Sequence, residues 1–324
     1  MSSLDLIKSP IIEELKRFEP VFKSSMKSNK KLLNIIINYI IKSKGKQLRP
    51  TIVFLTAKML GEINKSTHHA AALIELMHTA TLVHDDVVDE ANKRRGVFSI
   101  NALWKNKVSV LVGDYLLAKG LLLAVDNDEF DLLRIVSLSV KDMSEGELLQ
   151  IEKSRKLNIN EETYFEIIRK KTASLISSCA AIGAKSVGAD SETVEKLSLF
   201  GENLGIAFQI KDDIFDYQNN KIIGKPTGND LKEQKLTLPV IYALEKATNS
   251  EKRKIISIIK NHNKEPKKVK HVIDFAIKNN GLEYSTKKMI DYKNKAIQIL
   301  NEFPDNEAKT ALINLSEFVT ERKK

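Results

Sequence analysis

Residues 78–96 read HTATLVHDDVVDEANKRRG and gather three aspartates, two histidines and an arginine pair behind an apolar run. At about 100° per residue, His78, Asp85 and Asp89 share one face of a helix, with Thr81 between them. Asp85 and Asp89 then stand about 6 Å apart along the axis, where two unscreened carboxylates repel by roughly 3 kcal/mol at an effective dielectric of about 20. The preceding turns, AALIELMHTATLV, read as buried, and acids emerging from a buried helix need a cation or a basic partner. Oxygen-only ligands suit Mg²⁺, which keeps waters and accepts phosphate oxygens as further ligands.

The pattern recurs in FQIKDDIFDY, where Asp212, Asp213 and Asp216 close a second mostly apolar helix and Gln209 lies one turn before them. Asp85 and Asp212 are far enough apart in sequence to lie on different helices. If those helices face one another across a bundle, six carboxylates surround one cavity, which is how helical bundles build metal sites. Cationic residues that could offset a metal-bound polyanion accompany both motifs. KSKGKQLRP supplies Lys46 and Arg49 in a turn, Arg94 and Arg95 follow the first motif, and IRKKTAS holds Lys171 and Thr172. GKPTGNDLKEQKLTLP adds Lys225 and Lys235. Arginine forks match phosphate oxygens bidentately and lysine supplies a point charge. The set describes a site for phosphate esters and divalent metal.

Helices must position these residues. None of the seven prolines lies between residues 51 and 225, and apolar residues recur every three or four positions through that stretch. Residues 71–88, 109–125, 164–183 and 194–215 each fit the helical period, with polar breaks at 61–67, 126–131, 154–162 and 188–192. Ser9 before Pro10 reads as an N-cap with proline at the first helical position. Hairpin dipeptides between alternating strands are not evident. The expectation is an all-α, single-domain helical bundle spanning residues 1–324. The chemistry-bearing part runs from about 40 to 240, and Lys- and Asn-rich helices follow from about 246 to 324.

Composition narrows the function classes. Of the 324 residues, 42% are hydrophobic and 29% are charged. That is an ordinary globular balance with enough apolar material for a large core. Cys179 is the single cysteine, so no intrachain disulfide or cysteine metal cage can form, and a reducing compartment is implied. The N-terminus lacks the basic start and apolar core of a signal peptide. The apolar stretch LLNIIINYII is too short to span a bilayer. The expected location is cytoplasmic. The net charge of +10 permits nucleic acid or anionic surfaces, but lysine here interleaves with isoleucine and valine at helical spacing. Without a zinc-finger spacing or aromatic-interleaved basic patch, nucleic acid is not an expected partner.

With both aspartate motifs in place, the sequence resembles the trans-isoprenyl diphosphate synthases, or polyprenyl synthetases. The resemblance runs through GKQLRP, HTATLVHDDVVDEANKRRG, LVGDYLLAKG, KTASL, FQIKDDIFDY and GKPTGNDL. It implies a helical bundle around a central cavity, usually a homodimer, that joins isopentenyl diphosphate to an allylic diphosphate. It further implies several Mg²⁺ ions held principally by Asp85, Asp89 and Asp212, with Asp86, Asp213 and Asp216 in support. Arg94, Lys171, Lys225 and Lys235 would assist at the allylic diphosphate. Lys46, Arg49, His78 and Arg95 would bind the isopentenyl diphosphate, and Thr172 and Gln209 would line the site near the developing carbocation. The released pyrophosphate would serve as base, so no dedicated protein base is required. One departure is Lys44, where the family turn usually carries glycine.

The first motif has no two-residue insertion, and the small Ala80 and Thr81 sit one turn before Asp85 on the wall a growing tail would pass. With HTATLVHDDVVDE similar to long-chain members, the expected product is a polyprenyl diphosphate of the octaprenyl type, feeding quinone synthesis, with peripheral membrane contact for product release. A farnesyl or geranylgeranyl product is the alternative. A class I terpene cyclase would carry an Asn/Ser/Glu second metal motif, which FQIKDDIFDY is not. A non-catalytic regulatory subunit would be expected to lose one acidic motif, and this chain keeps both.

Overall fold

The structure, a computed structural model, describes residues 3–42, 45–94, 96–218 and 228–322. Helices dominate throughout. The first six are α1 (Ser3–Lys8), α2 (Ile12–Ser25), α3 (Lys31–Lys42), α4 (Leu48–Leu60), α5 (Lys65–Val88) and α6 (Ile100–Val125). Next come α7 (Phe130–Lys156), α8 (Glu161–Ile168), α9 (Ser174–Ser186), α10 (Ser191–Tyr217) and α11 (Asn229–Lys232). The chain ends with α12 (Leu238–Lys246), α13 (Asn249–Asn261), α14 (Pro266–Lys278), α15 (Gly281–Leu300) and α16 (Glu307–Glu321). Among the described residues, strand pairing is confined to an antiparallel ladder of β1 (Lys93–Arg94) with β2 (Val97–Phe98).

The chain divides into two compact units, residues 1–140, 178–198 and 303–312 in one and residues 141–177, 199–302 and 313–324 in the other. The helices α7, α9, α10 and α16 contribute residues to both. In the first unit α5 packs between α4 and α6. It is buried round its circumference, from Thr67 through Leu76 to Ala80, as a helix without a polar stripe must be. Its start is fixed by a capping box in which Asn64 accepts from the Thr67 amide at 3.1 Å while its own amide donates to Thr67 Oγ1. Ser99 caps α6 by accepting from the Ala102 amide at 3.0 Å. An apolar cluster including Met26, Ile36, Leu76, Ala80, Val83 and Leu116 joins α3, α5 and α6.

The second unit is held by Tyr164, Ile168, Ile206, Ile210, Ile214, Leu238, Ile258, Val272 and their neighbours. Each such aliphatic side chain contributes about 1.5–3 kcal/mol when fully buried, so packing rather than helix propensity secures these elements. Asn160 caps α8, and Thr248 forms a capping box with Glu251 at α13.

Two local expectations need correction. Ser9 caps nothing: its hydroxyl donates back to Leu6 O at 2.8 Å, because a 3₁₀ turn over Ser9–Ile11 links α1 to α2. The stretch 164–183 is not one uniform helix, since a π-helical turn over Arg169–Ala173 separates α8 from α9.

Candidate active site

In the first unit the acidic residues occupy the turn where α5 leaves the core. Asp85 is half-buried, Asp86 buried and Asp89 exposed, because a step of about 100° per residue sends neighbouring side chains to different faces. Asp86 is met inside the protein. Arg94 Nε donates to its Oδ1 at 2.8 Å, and Asn101 Nδ2 donates to its backbone carbonyl. The β1–β2 ladder brings Arg94 back to that position. His78 is buried two turns earlier, where its carbonyl accepts from Thr81 Oγ1 at 2.9 Å. Arg49 at the start of α4 lies 3.7 Å from Glu75, and the exposed Lys46 lends its carbonyl to the Lys8 ammonium. Ala80 is fully buried. Arg95, Lys225 and Lys44 lie outside the described residues.

In the second unit the second motif is built into a hydrogen-bonded chain. Thr172 Oγ1 donates to Gln209 Oε1 at 2.8 Å, and Gln209 Nε2 donates to Asp213 Oδ1 at 2.8 Å. Tyr164 OH donates to the other Asp213 oxygen at 2.7 Å. Asp213 is 4% exposed. Its burial, followed by repulsion from Asp230, pushes the carboxyl well above the usual range. Burial, with Asp213 beside it, likewise raises the Tyr164 hydroxyl. Asp216 accepts from the backbone amides of Asn229 at 2.9 Å and Asp230 at 3.0 Å, anchoring the segment after the motif. Burial and the neighbouring Asp216 charge push Asp230 up to about 7. Lys235 leads on to α12, and its ammonium pairs with Glu233 at 2.6 Å. The half-exposed Asp212 meets Arg322 at 2.6 Å.

Lys171 and Thr172 project from the π turn, which two glycines allow α7 and α10 to approach. A Cβ on Gly146 would lie 2.8 Å from the Lys171 amide nitrogen, and one on Gly205 would lie 2.6 Å from Ala173 Cα. That closeness lets Lys171 reach α7, where its ammonium pairs with Glu147 and donates to Gln150 at 2.8 Å.

The donor set suits Mg²⁺. Each motif presents carboxylates alone, and Asp85, Asp89 and Asp212 all retain solvent exposure, whereas Asp86 and Asp213 are already satisfied within their own units. Among the described residues no group of three or more His, Cys, Asp or Glu side chains stands close enough together to hold a metal ion by itself.

Sequence reasoning did not find Glu147, Gln150, Tyr164, Asp230 or Arg322. GELLQ carries a legible signal, two polar residues three apart on one helix face after a glycine. Arg322 carries none, lying more than a hundred positions from its partner.

The polyprenyl synthetase family profile matches residues 30–276. The chain is 35% identical over 320 residues to the all-trans-nonaprenyl-diphosphate synthase (geranyl-diphosphate specific) of Rhodobacter capsulatus, covering 98% of this chain and 97% of that one. A solved decaprenyl diphosphate synthase from Rhodobacter capsulatus superposes with a TM-score of 0.94 at 34% identity, covering 99% of each chain. A geranylgeranyl pyrophosphate synthase structure from Bacteroides thetaiotaomicron gives a TM-score of 0.85 at 41% identity, covering 99% of this chain and 100% of that one.

Proposed function

From the premise that the chain belongs to the polyprenyl synthetase family and is a trans-polyprenyl diphosphate synthase, we propose that its two aspartate motifs serve one Mg²⁺-dependent condensation. Isopentenyl diphosphate is joined to an allylic diphosphate by the whole chain acting as one catalytic domain, and the product is a long-chain polyprenyl diphosphate of the octaprenyl type. The observation that carries this reading is the shared design of the motifs. Each ends a long helix, each turns one aspartate inward onto protein partners, and each leaves its first aspartate toward solvent.

Asp85, Asp89 and Asp212 would hold the metal, which when bound neutralises the diphosphate and stabilises departing pyrophosphate. Asp86 and Asp213 fix the helix ends through Arg94 and through Tyr164 and Gln209, with Asp216 holding the following segment. Lys171, Lys225 and Lys235, with Arg94, bring positive charge to the allylic diphosphate. Lys46, Arg49, Arg95 and His78 take the isopentenyl diphosphate. Thr172 and Gln209 turn hydroxyl and amide dipoles toward the developing cation, an electrostatic role that needs their fixed mutual hydrogen bond.

The proposal extends to a homodimer and a cytoplasmic location. Along α6 beyond the kink at Lys105, Val110, Leu111, Leu121, Leu122 and Val125 are exposed at helical spacing, from 41% at Val110 to 60% at Leu111. Self-association is the usual cover for an apolar stripe of this kind. By length and composition α6 could cross a membrane, and one of its faces packs on α5. Service to quinone synthesis and peripheral membrane contact during product release belong to the same reading.

The test supplies purified protein with farnesyl diphosphate, isopentenyl diphosphate and Mg²⁺, then separates the dephosphorylated products by chromatography. A principal product of octaprenyl length is expected. Arrest at geranylgeranyl length would favour the short-chain alternative, which the 41% identity to a geranylgeranyl pyrophosphate synthase supports. Consumption of neither substrate would overturn both.

A further inference from the structure

Asp212 already faces a cation supplied by the chain itself. Arg322, just beyond α16, places Nη2 at 2.6 Å from Asp212 Oδ1. Its guanidinium lies 4.1 Å from the Phe208 ring centroid and 5.6 Å from that of Phe215. Arg322 Nε donates to Val319 O at 3.2 Å, and Nη2 also lies 3.5 Å from Phe208 O. Phe208, Asp212 and Phe215 follow at helical spacing, so one face of α10 builds the cradle.

The exposures of the pair are unequal. The arginine side chain is 12% accessible and the aspartate 41%. Rings and carbonyls hold the guanidinium from sides the carboxylate does not touch, so the cation is the more buried partner while Asp212 keeps solvent exposure. A divalent ion at Asp212 must bond the carboxylate oxygens directly, and Oδ1 cannot serve metal and guanidinium at full strength together.

We propose that Arg322 is a resident counter-ion that competes with divalent metal for Asp212, so that loading the second aspartate motif releases the C-terminal end of α16. The inference rests on the reading of Asp212 as a metal ligand. In the metal-free protein Arg322 keeps Asp212 neutralised and oriented. During loading it sets the affinity and couples the state of the site to the order of residues 313–322.

The test titrates Mn²⁺ into the full chain without substrate and follows the free ion by electron paramagnetic resonance. Arg322→Gln is expected to raise Mn²⁺ affinity about tenfold, the factor for removing one competing charge-assisted hydrogen bond, with Arg322→Lys in between. In wild-type protein, which needs no variant to fold, amide exchange over residues 313–322 is expected to quicken as Mn²⁺ saturates. Unchanged or weaker affinity in Arg322→Gln, or exchange indifferent to metal, overturns the inference. Asp212→Asn separates this from failure of the underlying reading. If it leaves Mn²⁺ binding intact, Asp212 is no ligand and both fall; if it abolishes binding while Arg322→Gln changes nothing, only the competition falls.

Discussion

Adjacent aspartates in each motif have opposite fates. Asp86 and Asp213 turn into the protein and are held by Arg94 and by Tyr164 with Gln209, whereas Asp85 and Asp212 keep contact with solvent. The spacing of the acids and their helical phase are legible in the sequence. Which of two neighbours turns inward is not, because it depends on Tyr164 and Arg94 arriving from other elements. Tyr164→Phe leaves a buried carboxyl short of a donor and is expected to cost about 1–3 kcal/mol in chemical denaturation, with little change in the denaturant slope. A loss well below that range would show that Asp213 finds a replacement partner. Arg94→Ala takes the guanidinium away from a carboxylate whose residue is 3% exposed. The same assay should register a loss of at least that size, since the charge is left buried without its cation.

Helices and their breaks follow from the proline-free stretch and the apolar period, and the predicted 71–88 and 194–215 helices lie within α5 and α10. The π turn at Arg169–Ala173 is not legible, since one extra residue in a turn barely disturbs the helical pattern. The β1–β2 ladder is too short to show strand alternation. Both irregularities carry residues proposed for the site, Lys171 and Thr172 on one and Arg94 on the other. Gly146→Ala forces a methyl to within 2.8 Å of the Lys171 amide, so α7 must back away. We expect a fall in kcat/KM of about tenfold with a stability loss of about 1–3 kcal/mol; unchanged kinetics would detach this approach from catalysis. On α5, Ala80 is fully buried within the cluster that includes Leu76 and Leu116. Ala80→Phe should shorten the chromatographed product while turnover persists, and an unchanged product length would remove Ala80 from the tail's path.

At the scale of the whole molecule, the apolar stripe on α6 predicts association. Leu111 is 60% exposed within that stripe. Leu111→Glu should shift the protein from dimer to monomer in size-exclusion chromatography with light scattering. A wild-type monomer would leave the stripe unexplained. The division of the chain into two compact units is beyond sequence reading, because α7, α9, α10 and α16 each run through it with an unbroken helical period. The central claim is that one condensation depends on both aspartate motifs. It is tested most directly by steady-state condensation of isopentenyl diphosphate with farnesyl diphosphate at saturating Mg²⁺, comparing wild type with Asp85→Asn and Asp212→Asn. Each substitution alone is expected to lower kcat by about 10²-fold or more while circular dichroism stays that of the folded protein. Near-wild-type turnover in either folded variant would contradict the claim.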